Sequence, residues 1–512
     1  MRPGAWVLVV LGVLACRARR SVEVPEASTE PVVVPDAEAG TDAAPPTDAP
    51  PGGACPQEPL AAQVLAWSPD GGRLAVGYAR SLAVDVWDAL GGTLARSLPH
   101  QGNTRALAYS RDGATLLAIV DNVTAGEGHL GFWDARGGTL RQGPTFASDT
   151  VQDPVLSPDG TRFLVPGFHG EFQVFDAATG VERWAHAVSP EQGAAEQGVL
   201  LVPRPRRDEL VLTRSVGAVE LFGLGRDGPP RTLRPAGCAG NDPPQVVFSP
   251  DGERLALETG DLGVELRTGP TLARRRVLQR AVPDRDGSCD RHASLAFSPD
   301  GARLATLDAR GALALWNGVS GAQLQQLSQG SPAAAPEDSA PASVQWSTDG
   351  TLLAARRSDG SVELWDVTVG GVPNRRWYRP PEPSRGQPLN SVGMLHGTRE
   401  ALLAVWNAQE LVLLDVRTMA DRGRLPLRGV VSAAAWSPDG SVLALAGGAL
   451  TLVRARDGGW VSVEVFERGG VRWPLVTTSQ GTWSGDLTLR PCVRPTPGAN
   501  LPRLLPEFLA GR

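Results

Sequence analysis

Three aspartates stand close together in one glycine-containing segment, Asp284-Arg285-Asp286-Gly287-Ser288-Cys289-Asp290. Carboxylate oxygens are the ligands that calcium prefers, so the segment is a candidate calcium loop. Its spacing, however, differs from that of an EF-hand loop. A hydrated surface loop is therefore the favoured interpretation, and we expect no metal there.

Two other sequence patterns are equally weak evidence for a binding site. His129 and His169 supply two imidazoles, but zinc takes three or four protein ligands and no third accompanies them. Gly223-Leu224-Gly225-Arg226-Asp227-Gly228 matches the glycine spacing of a dinucleotide-binding loop. Two prolines follow it where that loop needs a helix, so the segment predicts a turn.

Catalytic motifs are absent from the chain. It contains no Gly-x-Ser-x-Gly, His-Glu-x-x-His or Cys-x-x-Cys sequence. It also contains no lysine, which excludes a Walker A phosphate-binding loop. We therefore expect a protein that is not an enzyme, with no catalytic residue, no cofactor and no metal site.

A short turn motif recurs along the chain, most clearly as Trp436-Ser437-Pro438-Asp439-Gly440. Proline presets the first turn angle, aspartate bonds to its own backbone, and glycine adopts angles that other residues avoid. Apolar runs flank each copy, which predicts strand, turn and strand. The serines of the copies are Ser68, Ser110, Ser157, Ser249, Ser298, Ser347 and Ser437.

The spacing of these serines predicts the architecture. Most steps are 42 to 49 residues, and two steps are about twice as long. Each long step contains a degraded copy, one around Val199–Leu212 and one around Val392–Val405. The chain therefore holds nine units, and a period in the forties with short strands is typical of a β-propeller.

A second motif follows each turn by about twenty residues, an aromatic residue with an acid or an amide. It occurs at Trp87-Asp88, Trp133-Asp134, Phe175-Asp176, Trp316-Asn317 and Trp365-Asp366. With these two motifs the chain, over roughly residues 60 to 466, resembles the WD40 repeat family. The resemblance implies an all-β fold, a single propeller of eight or nine four-stranded blades.

For unit 7 the resemblance implies strands at Ser343–Trp346, Leu352–Ala355, Ser361–Trp365 and Arg375–Tyr378. For residues 375–379 we favour this fourth strand over the alternative, an exposed aromatic and basic patch, because the composition is typical of a strand. Family members often carry a histidine before each blade that joins a hydrogen-bonded network, and here only His100 stands in such a place. The blades should therefore rely on apolar packing, with the repeat tryptophans between them.

The N-terminus predicts export and a lipid anchor. The apolar run 5–15 is too short to span a bilayer and fits a secretory signal. Val13-Leu14-Ala15-Cys16 resembles a bacterial lipobox, which implies a signal peptide over 1–16 and lipidation of Cys16; an ordinary signal with an incidental cysteine is the alternative. Residues 17–54 are rich in proline, alanine and acids, and predict a disordered tether. The propeller should occupy 55–468, with an extension over 469–512 that packs on it.

Four cysteines remain in the exported part, Cys55, Cys238, Cys289 and Cys492, and they allow three pairings. The propeller resemblance implies that Cys238 and Cys289 lie in neighbouring loops, and that Cys55 and Cys492 lie where the ring closes. It therefore favours the disulfides Cys238–Cys289 and Cys55–Cys492. Free thiols in a cytoplasmic protein are the alternative, which the signal segment opposes.

Loop lengths indicate a working face. In WD40 propellers the connections between blades share one face, here called the top face, with the loops that join each blade's two middle strands. The long segments on this face are Pro235–Pro244, Ala281–Arg291, Ser328–Ala342, Pro380–Leu389 and Asp121–His129. Binding residues gather on loops held by a rigid scaffold, so the top face is the candidate binding face. The alternative is neutral drift, because insertions in surface loops cost little free energy.

These observations predict a non-catalytic scaffold for protein partners on the top face, exported to the cell envelope and anchored in the outer membrane. The formal charge of −6 gives no reason to expect a nucleic-acid partner. The alternatives are a propeller that binds a small ligand or a glycan, or a hydrolase whose site the sequence does not reveal.

Overall fold

The structure is a computed structural model that describes residues 59–484 except for short intervals. Those intervals are 90–92, 101, 123–126, 148–152, 168–170, 187–198, 215–216, 226–228, 236–242, 259–262, 280–293, 309–310, 330–341, 358, 380–390, 397–400, 428, 469–470 and 479–480. The five cysteines, the proposed signal and the tether residues 17–54 all lie outside the described residues.

The described chain forms nine antiparallel sheets; eight are built from four consecutive strands and the ninth from six. Blades 1 to 3 contain β1 (Ala62–Trp67), β2 (Arg73–Tyr78), β3 (Ala83–Asp88), β4 (Thr93–Pro99), β5 (Asn103–Tyr109), β6 (Thr115–Asn122), β7 (Glu127–Asp134), β8 (Leu140–Ala147), β9 (Val155–Leu156), β10 (Arg162–Pro166), β11 (Phe172–Asp176) and β12 (Glu182–His186). Blades 4 to 6 contain β13 (Val199–Pro203), β14 (Glu209–Arg214), β15 (Val219–Gly223), β16 (Arg231–Arg234), β17 (Val246–Phe248), β18 (Arg254–Glu258), β19 (Val264–Thr268), β20 (Arg274–Gln279), β21 (Ser294–Phe297), β22 (Arg303–Leu307), β23 (Leu313–Asn317) and β24 (Gln323–Ser328).

Blades 7 to 9 contain β25 (Ser343–Trp346), β26 (Leu352–Arg356), β27 (Val362–Asp366), β28 (Asn374–Arg379), β29 (Ser391–His396), β30 (Ala401–Trp406), β31 (Glu410–Asp415), β32 (Asp421–Pro426), β33 (Ala433–Trp436), β34 (Val442–Ala446), β35 (Leu450–Arg454) and β36 (Trp460–Arg468). Two further strands, β37 (Val471–Thr478) and β38 (Gly481–Ser484), extend the sheet of blade 9 beyond β36. The fold is a nine-bladed propeller, which confirms the number of repeat units counted in the sequence.

Local sequence explains why these strands form. In blade 7 the observed strands match the four expected ones within one or two residues at each end. The predicted turns join the first and second strands, and both degraded copies, around 199–212 and 392–405, supply strands of complete blades. Residues 375–379 lie in β28, so the strand interpretation of this basic segment is confirmed.

Neighbouring blades pack face to face through apolar side chains. In six of the nine neighbouring pairs of blades the first strand of one blade contacts the first strand of the other, for example β21 and β25, so these strands lie toward the centre of the ring. Between blades 6 and 7 the core includes Leu307, Leu315, Leu353 and Trp365. All seven repeat tryptophans lie in such inter-blade cores or against them, as expected: Trp67, Trp87, Trp133, Trp316, Trp346, Trp365 and Trp436.

The ring closes between blade 9 and blade 1 without exchange of a strand. A common core joins the two blades, and it includes Val76 of blade 1 and Val463 of blade 9. The indole of Trp67 donates a 3.2 Å hydrogen bond to the carbonyl of Ala435. Upstream of β1, the backbone N–H of Leu60 donates to the carbonyl of Val465 at 2.7 Å, which adds the incoming chain to the edge of β36.

Candidate functional site

The face opposite the top face, here called the bottom face, carries the serine–aspartate–glycine turns in one repeated geometry. In the first turn the hydroxyl of Ser68 donates to Asp70 at 2.6 Å, and the N–H of Gly72 donates to the same carboxylate at 2.9 Å. The N–H of Arg73 donates back to the Ser68 hydroxyl at 2.8 Å. Gly71 has φ of +69°, an angle that glycine adopts without strain.

These hydrogen bonds stabilise the charged form of the turn aspartates. Donation from Ser68 lowers the pKa of Asp70, and donation from Ser110 does the same for the pKa of Asp112. At Asp251 burial raises the pKa, but donation from Ser249, the N–H of Glu253 and Arg254 outweighs it and the pKa is lowered. These carboxylates are committed to turn geometry, which is a structural role.

The acid of the second motif closes another turn on the bottom face, between the third and fourth strands. The carboxylate of Asp134 accepts the N–H groups of Arg136 and Gly137 at 2.7 and 2.8 Å. The N–H of Ala135 then donates to the carbonyl of Ala114 at 2.8 Å, which ties this turn to the first turn of the same blade. Both sequence motifs are therefore fully used in shaping the bottom face.

Arginines connect successive blades along the bottom face, a feature that sequence reasoning missed. The guanidinium of Arg254 in blade 5 donates to the carbonyl of Gly301 in blade 6 at 2.9 Å and lies 6.0 Å from the ring centroid of Phe297. Related contacts to the next blade join Arg73 to Ala135, Arg162 to Leu224, and Arg303 to Gly350 and Val367. The expectation that blades rely on apolar packing was therefore incomplete, although a signal existed: each of these arginines stands five residues after a turn serine.

Blade 4 lacks the turn serine, and a fully buried arginine replaces it. Arg204 donates to the carbonyls of Gly252 at 2.6 Å and Pro270 at 3.0 Å in blade 5, and to Glu209 at 2.7 Å. Its guanidinium lies 5.9 Å from the Phe248 ring centroid. One side chain thus performs both the turn and the inter-blade function.

Buried acids stand in the third strands of several blades, and they were also missed. Glu363 is 1% exposed and accepts hydrogen bonds from Arg375 at 2.9 Å, Arg357 at 3.2 Å and the indole of Trp365 at 3.0 Å. The equivalent residues are Asp85 and Glu265, which are buried, and Glu220, which is half-buried. Glu363 is enclosed by its partners, so it is suited to holding the blade together.

His100 is buried at the connection between blades 1 and 2. Its Nε2 is hydrogen-bonded to the hydroxyl of Thr104 at 2.9 Å, and its ring lies edge-on to Trp133 at 6.4 Å. His129 lies on β7, where burial lowers its pKa, while its proposed companion His169 lies outside the described residues. Among the described residues no cluster of three or more histidine, cysteine or acidic side chains has the arrangement of a metal site.

Most of the predicted top-face segments lie partly or wholly outside the described residues. Ala281–Arg291 and Pro380–Leu389 lie wholly outside, and only the ends of Pro235–Pro244, Ser328–Ala342 and Asp121–His129 lie inside. The strand bounds add one more long connection, 187–198, before blade 4. The calcium candidate Asp284–Asp290 also lies outside.

The described part of the top face contains a groove between blades 8 and 9. Its floor is formed by Thr451, Ser462 and Glu464 on the face of blade 9 that points toward blade 8, and its wall by Leu427, Gly429 and Val431. The groove has a volume of about 270 Å³. Leu427 is fixed by donation of its N–H to the carbonyl of Gln409 at 2.6 Å, so the wall is tied to blade 8.

The groove exists because residue 447 of blade 9, which the wall of the groove approaches, is a glycine. A Cβ atom on Gly447 would lie only 2.9 Å from the carbonyl oxygen of Val430, so a larger residue would push this connection outward. Trp460 lines the lower end of the groove and is partly buried. Among the described residues that line the groove, Glu464 is the one charged side chain, and it is 8% exposed.

Comparisons with known proteins give a family match for part of one blade. The family model for the WD domain, G-beta repeat, matches residues 337–366, which cover the first three strands of blade 7. A search of curated proteins found no match. Among solved structures, the chain is similar to the dihydro-heme d1 dehydrogenase NirN in complex with DHE, with 17% identity, a TM-score of 0.44, and coverage of 73% of this chain and 76% of that chain.

The chain is also similar to the β-propeller domain of Cps50 (Swd1) from Myceliophteria thermophila. The identity is 18%, the TM-score is 0.37, and the match covers 61% of this chain and 99% of that chain. The chain is therefore a nine-bladed propeller, one blade of which contains a match to the WD domain, G-beta repeat. No helix in the described residues is long and apolar enough to cross a membrane.

Proposed function

We propose that this protein is a non-catalytic, lipid-anchored propeller of the WD40 type that holds protein partners on its top face at the cell envelope. In this proposal Cys16 carries the lipid, 17–54 is the tether, and the outer membrane is the anchoring surface. WD40 propellers generally mediate protein interactions and are usually non-catalytic, which supports the scaffold over an enzyme.

The contrast between the two faces carries this proposal. On the bottom face eight of the nine connections between first and second strands have five residues, as in 68–72 and 437–441. On the top face the connections between blades vary in length, from 100–102 between blades 1 and 2 to 280–293 between blades 5 and 6. Because the connections between blades differ in length far more than the first turns of the bottom face do, the top face is where this chain departs most from a regular propeller, and binding residues gather on such loops.

The point at which the chain joins the ring supports a partner near the membrane. The carbonyl of Ala61 accepts the N–H of Ala79, which belongs to a middle-strand loop of the top face. The tether therefore leaves the propeller on the same face as the long loops. A flexible chain of the length of residues 17–58 has a mean reach of roughly 35 Å, so the top face stays close to the anchoring surface.

Crosslinking capture of the tagged, lipidated protein from native membranes tests this function. The matched control replaces Ala281–Arg291 and Ser328–Ala342 with short glycine–serine linkers. A protein partner that is captured by the natural chain and lost in the control supports a top-face scaffold. A partner retained in the control contradicts the choice of face, and no reproducible partner in either sample would favour the ligand- or glycan-binding alternative.

A further inference from the structure

Two arginines of blade 7 share one buried carboxylate near the outer edge of the top face. Arg357 follows β26 directly, in the loop that leads to β27 on the top face, and Arg375 lies on the outer strand β28. Both guanidiniums donate to Oε1 of Glu363, at 3.2 and 2.9 Å, while Oε2 accepts the indole N–H of Trp365 at 3.0 Å. Two positive charges therefore have one negative charge between them.

The charges at this position differ from those of blade 4. There Glu220, the equivalent of Glu363, pairs with Arg214, the equivalent of Arg357, at 3.2 Å. Within the described part of the chain Glu220 forms an ion pair with this arginine alone. Arg375 is an addition of blade 7, which therefore carries one positive charge more than blade 4 at the same place.

The cations are accessible although the carboxylate between them is not. The side chain of Arg375 is 48% exposed and that of Arg357 is 19% exposed, whereas Glu363 is 1% exposed. The acid in the same loop, Asp359, accepts the N–H of Ser361 at 2.8 Å and forms no ion pair with a described residue. The excess charge is therefore presented at the surface.

Tyr378 fixes the more exposed of the two cations. Its ring centroid lies 5.0 Å from the guanidinium carbon of Arg375, and its backbone is paired with Glu363 in the sheet. Tyr378 is itself 45% exposed. The strand β28 thus completes the blade and also presents an arginine and an aromatic ring to solvent in a fixed arrangement.

The surface of β28 fits one carboxylate on a short apolar stem. A guanidinium has five N–H groups and binds a carboxylate through paired, charge-assisted hydrogen bonds. Glu363 takes one N–H of Arg375, so others remain for a second acceptor. One carboxylate matches the single excess charge, whereas a polyanion is bound by many cationic groups along its length. The exposed ring of Tyr378 offers surface for the methylene groups of the stem.

We propose that Arg375, supported by Arg357 and Tyr378, binds a glutamate or aspartate side chain of a protein partner at the outer edge of the top face. The inference rests on the scaffold function and names the chemistry of the partner at one point. Arginine and tyrosine are enriched among the residues that dominate binding energy at interfaces. A charge pair of this kind also selects the partner and its orientation.

A matched pair of small probes tests the site without a known partner. Nα-acetylglutamate methylamide carries the side-chain carboxylate, and Nα-acetylglutamine methylamide has nearly the same shape without charge. We expect the glutamate probe to bind the full chain at least threefold more tightly in ligand-detected NMR titrations. Arg375→Gln should reduce its affinity to that of the glutamine probe. Arg424→Gln is the control, because it removes an exposed arginine that pairs with Asp421 on the outer strand of blade 8, and it should leave the affinity unchanged.

The variant should keep the ring folded, because Arg375→Gln leaves Glu363 paired with Arg357, as Glu220 is with Arg214. Thermal unfolding checks this for every variant. Arg375→Lys keeps the charge without the planar fork, so its affinity for the glutamate probe should lie between those of the natural chain and Arg375→Gln.

Three results would overturn the inference. The first is equal binding of the two probes to the natural chain, which needs no variant. The second is an equal loss of affinity in Arg375→Gln and Arg424→Gln, because the effect would then depend on net charge alone. The third is displacement of the glutamate probe by inorganic phosphate at a lower concentration than by acetate, which would assign the site to a phosphoryl ligand.

Capture from membranes with the same two variants separates this inference from the proposed function. A partner that the natural chain and Arg424→Gln capture and that Arg375→Gln loses supports both. A partner captured equally by all three overturns this site and leaves the scaffold function in place. Charge-selective binding of the probe with no captured partner contradicts the scaffold function and, with it, a protein as the source of the carboxylate.

Discussion

The guanidinium carbon of Arg303 in blade 6 lies 4.8 Å from the ring centroid of Trp346 in blade 7. The same guanidinium donates to the carbonyl of Gly350 at 2.6 Å and to that of Val367. The indole of Trp346 in turn donates to the carbonyl of Ala296 in blade 6 at 2.9 Å. Each residue thus reaches across the same interface, and this reciprocal contact joins the two blades.

A double-mutant cycle on this pair measures the stacking energy. Arg303→Met, Trp346→Leu and the double variant should show a coupling of about 0.5–2 kcal/mol in the free energy of unfolding, the range for a cation over an aromatic ring. Urea unfolding provides the measurement. Arg303→Met combined with Trp67→Leu is the control, and it should be additive because Trp67 packs in the blade 9–1 core.

Arg204 should be among the most sensitive positions in the ring. Arg204→Met keeps the apolar stem but removes the charge-assisted bonds to two carbonyls of blade 5, and we expect a loss on the order of 2–4 kcal/mol in the free energy of unfolding. Arg206→Met is the matched control, since Arg206 is exposed. Its φ of +61° strains arginine and methionine alike, so the substitution does not change the backbone strain. Similar losses in the two variants would contradict the role assigned to Arg204.

The sequence predicted those parts of the fold that depend on local chemistry. The turn at Ser437–Gly440 forms through contacts within a few residues, so each complete copy of the turn can be recognised from the sequence. Both degraded units were found through their spacing, because a ring needs a blade there. Arg303 and its contacts in blade 7 could not be assigned from one repeat, because the partners are about fifty or more residues away.

The groove at Glu464 was out of reach of sequence reasoning for a related reason. It depends on the close approach of Val430 and Val431 to Gly447, and on which face of β36 points toward blade 8. Loop lengths directed attention to the long segments of blades 5 to 8, whereas the groove lies beside one of the shorter connections. A groove beside a short connection cannot be predicted from loop length.

Two glycines separate backbone strain from crowding between blades. Gly252 and Gly370 have φ of +75° and +81°, so alanine at either position costs about 1–2 kcal/mol of backbone strain. A Cβ on Gly252 would also lie 2.2 Å from the carbonyl oxygen of Pro205 in blade 4, whereas Gly370 has no atom within 4 Å. Gly252→Ala should therefore lower the thermal midpoint clearly more than Gly370→Ala. Equal shifts would show that the close approach of blades 4 and 5 relaxes freely.

The turn aspartates should make the ring sensitive to acid. Their pKa values are lowered in the folded state, so the stability they contribute is fully present above the unfolded value near 3.8 and is lost as the pH falls through the folded pKa. We expect the free energy of unfolding to drop on going from pH 5 to pH 3. Asp70→Asn should be less stable at pH 5 and should show a smaller drop, because it has no charge to lose. An unchanged drop in this variant would mean that other groups cause the acid sensitivity.

The anchor itself is tested by removing the proposed lipid attachment residue. Cys16→Ser should move the protein from the membrane fraction to the soluble fraction of the cell, because the variant cannot carry the proposed lipid anchor. Cys55→Ser is the matched control, since it alters a cysteine of the exported part without touching the lipobox, and it should remain in the membrane fraction. Metabolic labelling with a fatty acid should mark the natural chain and Cys55→Ser but not Cys16→Ser. Membrane retention of unlabelled Cys16→Ser would show that an uncleaved signal or a partner, rather than a lipid, holds the propeller there.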